Sequence, residues 1–105
     1  MMARFDVYRN ANKASRGEFP YLLDVQADLF ADLRTRVVVP LMPRSAVRAP
    51  MTRLNPVFTL EGKSLVMATT DIAGVPITVL GAKAGSLARH AATVLGAIDF
   101  LLTGA

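Results

Sequence analysis

Ser86-Leu-Ala-Arg-His-Ala-Ala-Thr-Val-Leu-Gly-Ala-Ile-Asp-Phe-Leu-Leu-Thr-Gly-Ala105 is predicted to form one terminal helix. At about 100° per residue seven of its apolar side chains share one side, which is typical of an amphipathic helix that buries that side. They are Leu87, Ala91, Val94, Leu95, Ile98, Leu101 and Leu102. Ser86 can cap the first turn and Gly104 can end the helix in a left-handed conformation, so we expect a helix over about residues 86–103. Phe100 falls on the opposite side, where we expect either a partner contact or partial burial in a dimer or under a loop.

Short β-rich runs separated by turn signals precede this helix. The predicted strands cover residues 4–8, 20–26, 36–42, 56–60, 63–69 and 75–80. Glu61 and Gly62 separate two of these runs, and a two-residue connection ending in glycine is typical of a tight β-hairpin. Pro40 lies inside the β-branched run 36–42 and cannot donate to a ladder, so we expect an edge, a bulge or a sharp bend there.

The remaining segments are predicted to be connections. Residues 10–17 form a polar loop, 43–55 run over the surface with at most one helical turn, 70–74 turn the chain, and 81–85 lead into the helix. Residues 27–33 are ambiguous between a short helical turn and a loop that packs Leu29 and Phe30 on an apolar surface. Five or six short strands followed by one C-terminal helix predict a mainly β domain, a small, strongly bent antiparallel barrel or pair of sheets over about residues 3–80.

Length and composition predict one domain, residues 1–105, that forms a homodimer. The chain is 52% hydrophobic and only 19% charged, which leaves little polar surface for a small monomer. It contains no cysteine and a single histidine, so we expect no disulfide, no metal centre and no cofactor, as fits the cytoplasm. The first residues lack the apolar core of a signal peptide, and the apolar part of the helix is too short to span a membrane and contains Asp99.

The middle of the chain is basic, and the net charge is +4. The arginines there are Arg34, Arg36, Arg44, Arg48 and Arg53. Such a series is compatible with nucleic-acid phosphates, with an acidic peptide, or with a merely solvated face. No aromatic residue is interleaved with these arginines to stack on bases, so we expect no direct nucleic-acid binding.

The residues capable of acid–base chemistry form no recognisable catalytic set. His90 lies at the border of the helix's apolar side with no third group to orient it, so we expect a structural role. Asp24 with Asp28, or Asp71 with Asp99, are the possible carboxylate pairs, but the sequence places neither pair across a cleft. These features favour a binding protein with no catalytic residues over an enzyme.

Four strings occur in a distinctive order along the chain. They are Asp24-Val-Gln-Ala-Asp28, Val38-Val-Pro-Leu41, Met67-Ala-Thr-Thr-Asp-Ile-Ala-Gly-Val-Pro76 and Asp99-Phe-Leu-Leu-Thr-Gly-Ala105. Together they resemble the CcdB family of toxins from bacterial toxin–antitoxin modules, and the resemblance runs from Phe5 to the last residue. It implies an SH3-like barrel with a C-terminal helix, a homodimer, and no intrinsic catalysis.

The resemblance also implies two partners. One is the GyrA subunit of DNA gyrase, whose cleaved-DNA complex members of this family trap. The other is a CcdA-like antitoxin, whose disordered C-terminal segment folds onto the toxin dimer. The enzymatic alternative is a MazF-like messenger-RNA endoribonuclease on a similar barrel, in which residues 34–53 would line an RNA groove.

The implied binding residues fall into two sets. The gyrase-facing set comprises Leu29, Phe30, Asp99, Leu102, Thr103, Gly104 and Ala105. For the antitoxin we expect the basic residues Arg9, Lys13, Arg44, Arg48 and Arg53.

The end of the chain departs from the family's best-known members, which finish in Trp-Gly-Ile. This chain has no tryptophan and finishes in Thr103, Gly104 and Ala105. Truncating an aromatic anchor typically costs ~2 kcal/mol or more, which is over an order of magnitude in affinity. Either the gyrase of the same host is matched to a smaller end, or the chain retains the fold and antitoxin binding while its target has changed or been lost.

Overall fold

The computed structural model, which describes residues 2–105, shows one curled antiparallel sheet with a helix at the end of the chain. The strands are β1 Asp6–Asn10, β2 Tyr21–Asp24, β3 Thr35–Pro43, β4 Val57–Leu60, β5 Lys63–Met67, β6 Ala73–Pro76 and β7 Leu80–Ser86, and the helix is α1 Ala91–Thr103. Short 3₁₀ turns cover Asp28–Phe30, Arg44–Ala46, Thr69–Asp71, Ile77–Val79 and Ala88–His90. The predicted class, mainly β with one C-terminal helix, is confirmed, and the sheet forms a curled half-barrel.

The long strand β3 organises the sheet. Its neighbours run in the order β4-β5-β3-β2-β1-β7, and β6 also pairs with β3. The first part of β3, from Thr35 to Val38, pairs with β6, whereas its last part, from Leu41 to Pro43, pairs with β5. Pro40 lies between these two pairings, and its carbonyl accepts a hydrogen bond of 2.9 Å from the N–H of Ala68 on that same side. Pro40 therefore lacks its N–H on the side where β3 changes from pairing with β6 to pairing with β5. This position lies within the sheet and not at its edge.

The predicted hairpin is confirmed as β4 and β5. Leu60 pairs with Lys63, and the two residues between them have positive φ angles, 52° at Glu61 and 74° at Gly62. Two left-handed residues in succession are the signature of a type I′ turn, which matches the right-handed twist of the flanking strands. The turn therefore fixes the register that puts Phe58 and Leu65 together in the core.

The end of the sheet differs from the prediction. Residues 75–80, predicted as one strand, are divided between β6, the turn Ile77–Val79 and the start of β7, and residues 81–85, expected as a connection, belong to β7. β7 pairs with β1, and the pairing carries a bulge between Tyr8 and Asn10. A Cβ on Gly81 would lie 2.9 Å from the carbonyl oxygen of Arg9, so glycine permits this close approach.

The core lies between the concave face of the sheet and the helix. Its members are Phe5, Val7, Tyr21, Leu23, Val25, Val39, Leu41, Phe58, Leu60, Leu65, Met67, Leu87, Val94 and Ala97. The edge strands β4 and β7 also meet here, because a Cβ on Gly85 would lie 2.6 Å from Cδ1 of Leu60. The sheet thus curls until its two ends are nearly in contact.

The helix is shorter than predicted at its start. Ser86 is the last residue of β7, and Leu87 still donates a hydrogen bond of 2.8 Å to the carbonyl of Phe5, so pairing with the first strand region keeps this stretch extended. The Ser86 hydroxyl accepts from the N–H of Ala88, the first residue of the 3₁₀ turn that precedes α1, at 3.1 Å, but Leu87 and not Ser86 is the N-cap residue of that turn. The predicted C-terminal end is confirmed, because Gly104 has φ 72° and its N–H bonds to the carbonyl of Phe100.

The buried side of the helix is also narrower than predicted. Val94 and Ala97 are fully buried, while Leu95 and Leu102, both predicted to be buried, are exposed. Val94 and Ala97 both point at the sheet from the middle of the helix. Leu102, in the last turn, is 75% exposed and therefore packs on little within residues 2–105.

Candidate partner-binding surfaces

The segment between β2 and β3 presents apolar side chains to solvent. Leu29 is 84% exposed and Phe30 51% exposed, on the 3₁₀ turn Asp28–Phe30, and Leu33 just beyond is exposed as well. Of the two alternatives for residues 27–33, the structure shows the short helical turn, and Leu29 and Phe30 do not pack on an apolar surface within residues 2–105. Exposed apolar side chains grouped in one short segment are typical of surfaces that partners cover.

Hydrogen bonds from polar residues hold this segment in place. The Gln26 side chain donates to the carbonyl of Phe30 and accepts from the N–H of Val37, both at 2.9 Å. Asp28 accepts from the N–H of Arg4 at 2.8 Å, which ties the segment to the chain before β1. The segment is therefore shaped by its polar residues, while its apolar residues remain free.

A buried ion pair lies under this segment. Arg36 donates from Nε and Nη2 to one carboxylate oxygen of Asp24, and the other oxygen accepts from the N–H of Gln26 at 3.0 Å. Both side chains are completely buried. Burial raises the pKa of Asp24 above its usual range, and the hydrogen bonds from Arg36 oppose that shift. Asp24 is paired with the side chain of Arg36, whereas Asp28 accepts from the main-chain N–H of Arg4. The two carboxylates are therefore not directed at one common group.

The end of α1 forms the second surface. Asp99, Thr103, Gly104 and Ala105 are exposed there, and Leu102 is 75% exposed. The Thr103 hydroxyl donates to the carbonyl of Asp99 at 2.8 Å and accepts from the N–H of Ala105 at 3.3 Å. The last residues are thus folded back onto the final helical turn.

Arg53 lies against this end of the helix. Its guanidinium carbon is 4.3 Å from the centre of the Phe100 ring, and its Nη2 donates to the main-chain oxygen of Ala105 at 2.8 Å. Phe100 is half-buried beneath this connection, which agrees with the expectation of partial burial under a loop. The structure therefore places Arg53, predicted for the antitoxin set, beside residues predicted for the gyrase set.

The other basic candidates are distributed over two regions. Arg9 lies on β1, pairs with Glu61 at 3.2 Å and stacks on the ring of Tyr21, and Lys13 is exposed on the loop that follows. Arg44 and Arg48 are exposed on the connection between β3 and β4. No hydrogen bond or ion pair within residues 2–105 joins these two regions.

His90 is half-buried in the turn before α1, and its ring centre is 5.1 Å from that of Phe58. This contact with a core aromatic ring is what a structural histidine makes. Across the described chain, no three His, Cys, Asp or Glu side chains are grouped so as to hold a metal ion. The same residues contain no helix that is both long and apolar enough to cross a membrane.

Sequence reasoning missed Gln26, Arg36 and Arg4 as residues that build the first surface. Gln26 stands inside the string Asp24 to Asp28, where each of the three polar positions makes a bond that shapes the segment. The spacing of those polar residues immediately after a strand was the available signal. Their partners lie up to 24 positions away, and only the fold shows them.

The fold is a curled half-barrel with a helix packed across it, and apolar side chains are exposed at Leu29–Phe30 and at Leu102. These features define a class of small, mainly β proteins whose exposed apolar surfaces are of the kind that partners cover. A family model described as CcdB protein matches residues 4–104. The chain therefore belongs to the CcdB family, and it is a toxin of the toxin–antitoxin type. The resemblance drawn from the four sequence strings is confirmed over nearly the whole chain.

Proposed function

We propose that this toxin binds the GyrA subunit of DNA gyrase and traps the enzyme's cleaved-DNA complex. The single observation that carries the proposal is the exposure of Leu29 and Leu102, two large aliphatic side chains left uncovered at positions expected to face gyrase. Burying one such side chain is worth ~1.5–3 kcal/mol. The binding set is Leu29, Phe30, Asp99, Leu102, Thr103, Gly104 and Ala105.

The toxin acts in this proposal by binding alone. It performs no covalent step, and the chemistry that damages DNA is that of gyrase, held at the stage where the strands are cut. The contribution of the toxin is a preformed surface, since ordered side chains lose less conformational entropy on binding than mobile ones.

A CcdA-like antitoxin would neutralise the toxin through its basic residues. An acidic segment that folds on binding gains most from exposed cations, and Lys13, Arg44 and Arg48 are exposed on two loops. Arg9 and Arg53 complete the expected set, although each already has a partner within the chain.

The working form in this proposal is a homodimer. The chain is 52% hydrophobic and exposes several large apolar side chains, more than a small solvated monomer needs to leave uncovered. Light scattering on the purified protein measures its mass directly, and a monomer at micromolar concentration would contradict this part of the proposal.

The test is a pull-down of GyrA from the source organism, combined with a DNA-cleavage assay. Three proteins are compared: the full chain, a form lacking Thr103 to Ala105, and Leu29→Asp. We expect the full chain to accumulate cleaved DNA bound to gyrase, and both altered forms to lose this effect.

Two results would contradict the proposal. One is a full chain that neither binds gyrase nor stabilises cleaved DNA, which would mean that the target has changed. The other is degradation of a single-stranded RNA by the purified protein, which would favour the endoribonuclease alternative.

A further inference from the structure

The exposed tip Leu29–Phe30 receives almost no support from the core. Asp28, Leu29 and Phe30 are all exposed, and the 3₁₀ turn that they form contains no buried residue. Three-residue 3₁₀ turns have poor hydrogen-bond geometry and little stability of their own. Something other than packing must therefore keep these side chains in one arrangement.

The side-chain amide of Gln26 links this segment to strand β3. One end of its amide donates to the carbonyl of Phe30, and the other accepts from the N–H of Val37 on β3. The two bonds connect the tip to the central strand of the sheet through a single planar group. The backbone of Gln26 is itself fixed, because its N–H bonds to the buried carboxylate of Asp24.

We propose that Gln26 is a positioning residue for gyrase binding, which holds the tip Leu29–Phe30 in its binding conformation. The inference rests on the proposed function, since it assigns a role within the same surface. Gln26 acts through the tip and not by contact with gyrase. Without its amide the N–H of Val37 turns to water and the carbonyl of Phe30 keeps only the 3.3 Å bond from the N–H of Leu33, so the tip samples more conformations before it binds.

The two halves of the amide have separable roles. Gln26→Met keeps the length and approximate volume of the side chain but removes both hydrogen bonds. Gln26→Glu keeps an acceptor for Val37 but loses the donor to Phe30 and places a charged oxygen near that carbonyl. Both variants should free the tip, and only Gln26→Met should also free the amide of Val37.

The experiment measures gyrase binding and local order in the same set of variants. We expect Gln26→Met to weaken binding of GyrA about tenfold and to speed hydrogen exchange at Val37, with an intact global fold. Gln26→Glu should weaken gyrase binding to a similar extent while the exchange rate at Val37 stays near that of the wild type. Mobility of Phe30, measured by NMR relaxation in the free protein, should rise in both variants.

A matched control is available at Asn10. Asn10 ends β1, and its amide also bridges backbone and side-chain groups, because the nitrogen donates to the carbonyl of Phe19 and to the Ser15 hydroxyl, both at 2.9 Å, in the loop between β1 and β2. Asn10→Leu should loosen that loop and leave gyrase affinity within about twofold of the wild type. Equal losses of gyrase affinity in Gln26→Met and Asn10→Leu would overturn the inference, because a general loss of stability would then explain both.

Three other outcomes are decisive. Weaker binding by Gln26→Met without any change at Val37 or Phe30 would show direct contact with gyrase and overturn the positioning role. Unchanged binding by Gln26→Met, with a wild type that binds, would overturn the inference and leave the proposed function intact. A wild type that does not bind gyrase would overturn the proposed function, and the inference with it.

Discussion

The guanidinium group of Arg36 and the carboxylate of Asp24 form an ion pair in which neither side chain is exposed to solvent. Arg36 lies on β3 and Asp24 ends β2, so the pair joins two strands on the face of the sheet opposite the main core. Nη1 of Arg36 has no hydrogen-bond partner among residues 2–105. A pair of this kind is costly to desolvate, and the structure depends on both members being present.

Removing both members of this pair should lower the free energy of unfolding by less than the two single removals added together. We expect Arg36→Met, which leaves a buried carboxylate, and Asp24→Leu, which leaves a buried cation, each to lower the free energy of unfolding by about 3–5 kcal/mol. The double variant should lose less than the sum of the two single losses, since no unpaired charge remains. Chemical denaturation measures all three, and strictly additive losses would show that the two groups do not act as a pair.

The phenol of Tyr8 predicts a loss of stability at alkaline pH. Burial, the charge of Asp6 and a hydrogen bond to it raise the pKa of Tyr8 from 10.0 to about 12. Between these values the unfolded chain has released the phenolic proton while the native chain retains it, so rising pH favours unfolding. The loss from this group should reach roughly 2–3 kcal/mol by pH 12.

The measurement is the difference between wild type and Tyr8→Phe in unfolding free energy, followed from pH 8 to pH 12. Other groups titrate in the same range, and they cancel in the difference. The wild type should lose its relative advantage above pH 10, and a constant difference across this range would contradict the predicted shift.

The parts of the fold that the sequence predicted are those fixed by local chemistry. The hairpin at Glu61 and Gly62 follows from a two-residue turn, the central strand from a run of β-branched residues, and the end of the helix from Gly104. In each of these, neighbouring residues suffice to favour one backbone conformation over the others.

The parts that the sequence did not predict depend on distant partners. Residues 80–86 have weak strand propensity and become a strand because β1 lies beside them. The helical periodicity does extend through Leu102, but a helical wheel does not show which of the apolar positions the sheet covers. Similarly, family resemblance points to Leu29 and Phe30 as a surface, whereas the role of Gln26 requires the positions of Phe30 and Val37 in space.

Two glycines make a matched test of the contact between β1 and β7. A Cβ on Gly81 would lie 2.9 Å from a main-chain oxygen, that of Arg9, which cannot move without shifting β1. Gly74 on β6 has nothing within 4 Å of the same position. We expect Gly81→Ala to cost about 1–3 kcal/mol and Gly74→Ala to change stability by less than about 0.5 kcal/mol. Thermal unfolding of both variants checks this, and equal effects would show that β7 approaches β1 less closely.

Arg53 is expected in two roles that respond differently to substitution. At the end of α1 the contact depends on the planar shape of the guanidinium group, which stacks on Phe100 and donates to Ala105. Binding of an acidic antitoxin segment depends instead on the positive charge of Arg53. Arg53→Lys keeps the charge and loses the planar guanidinium group, while Arg53→Ala loses both. We therefore expect both variants to weaken gyrase binding by about three- to tenfold, with Arg53→Lys retaining more antitoxin affinity than Arg53→Ala.

Titration calorimetry with GyrA and with an acidic antitoxin peptide separates the two roles. Arg16→Ala removes an equal charge from an exposed position on the loop between β1 and β2, and it should leave gyrase binding unchanged. Full gyrase affinity in Arg53→Lys would mean that charge alone accounts for the contribution of Arg53. The stacking on Phe100 would then be a surface contact with no part in holding the end of the helix, because a lysine cannot reproduce the planar geometry.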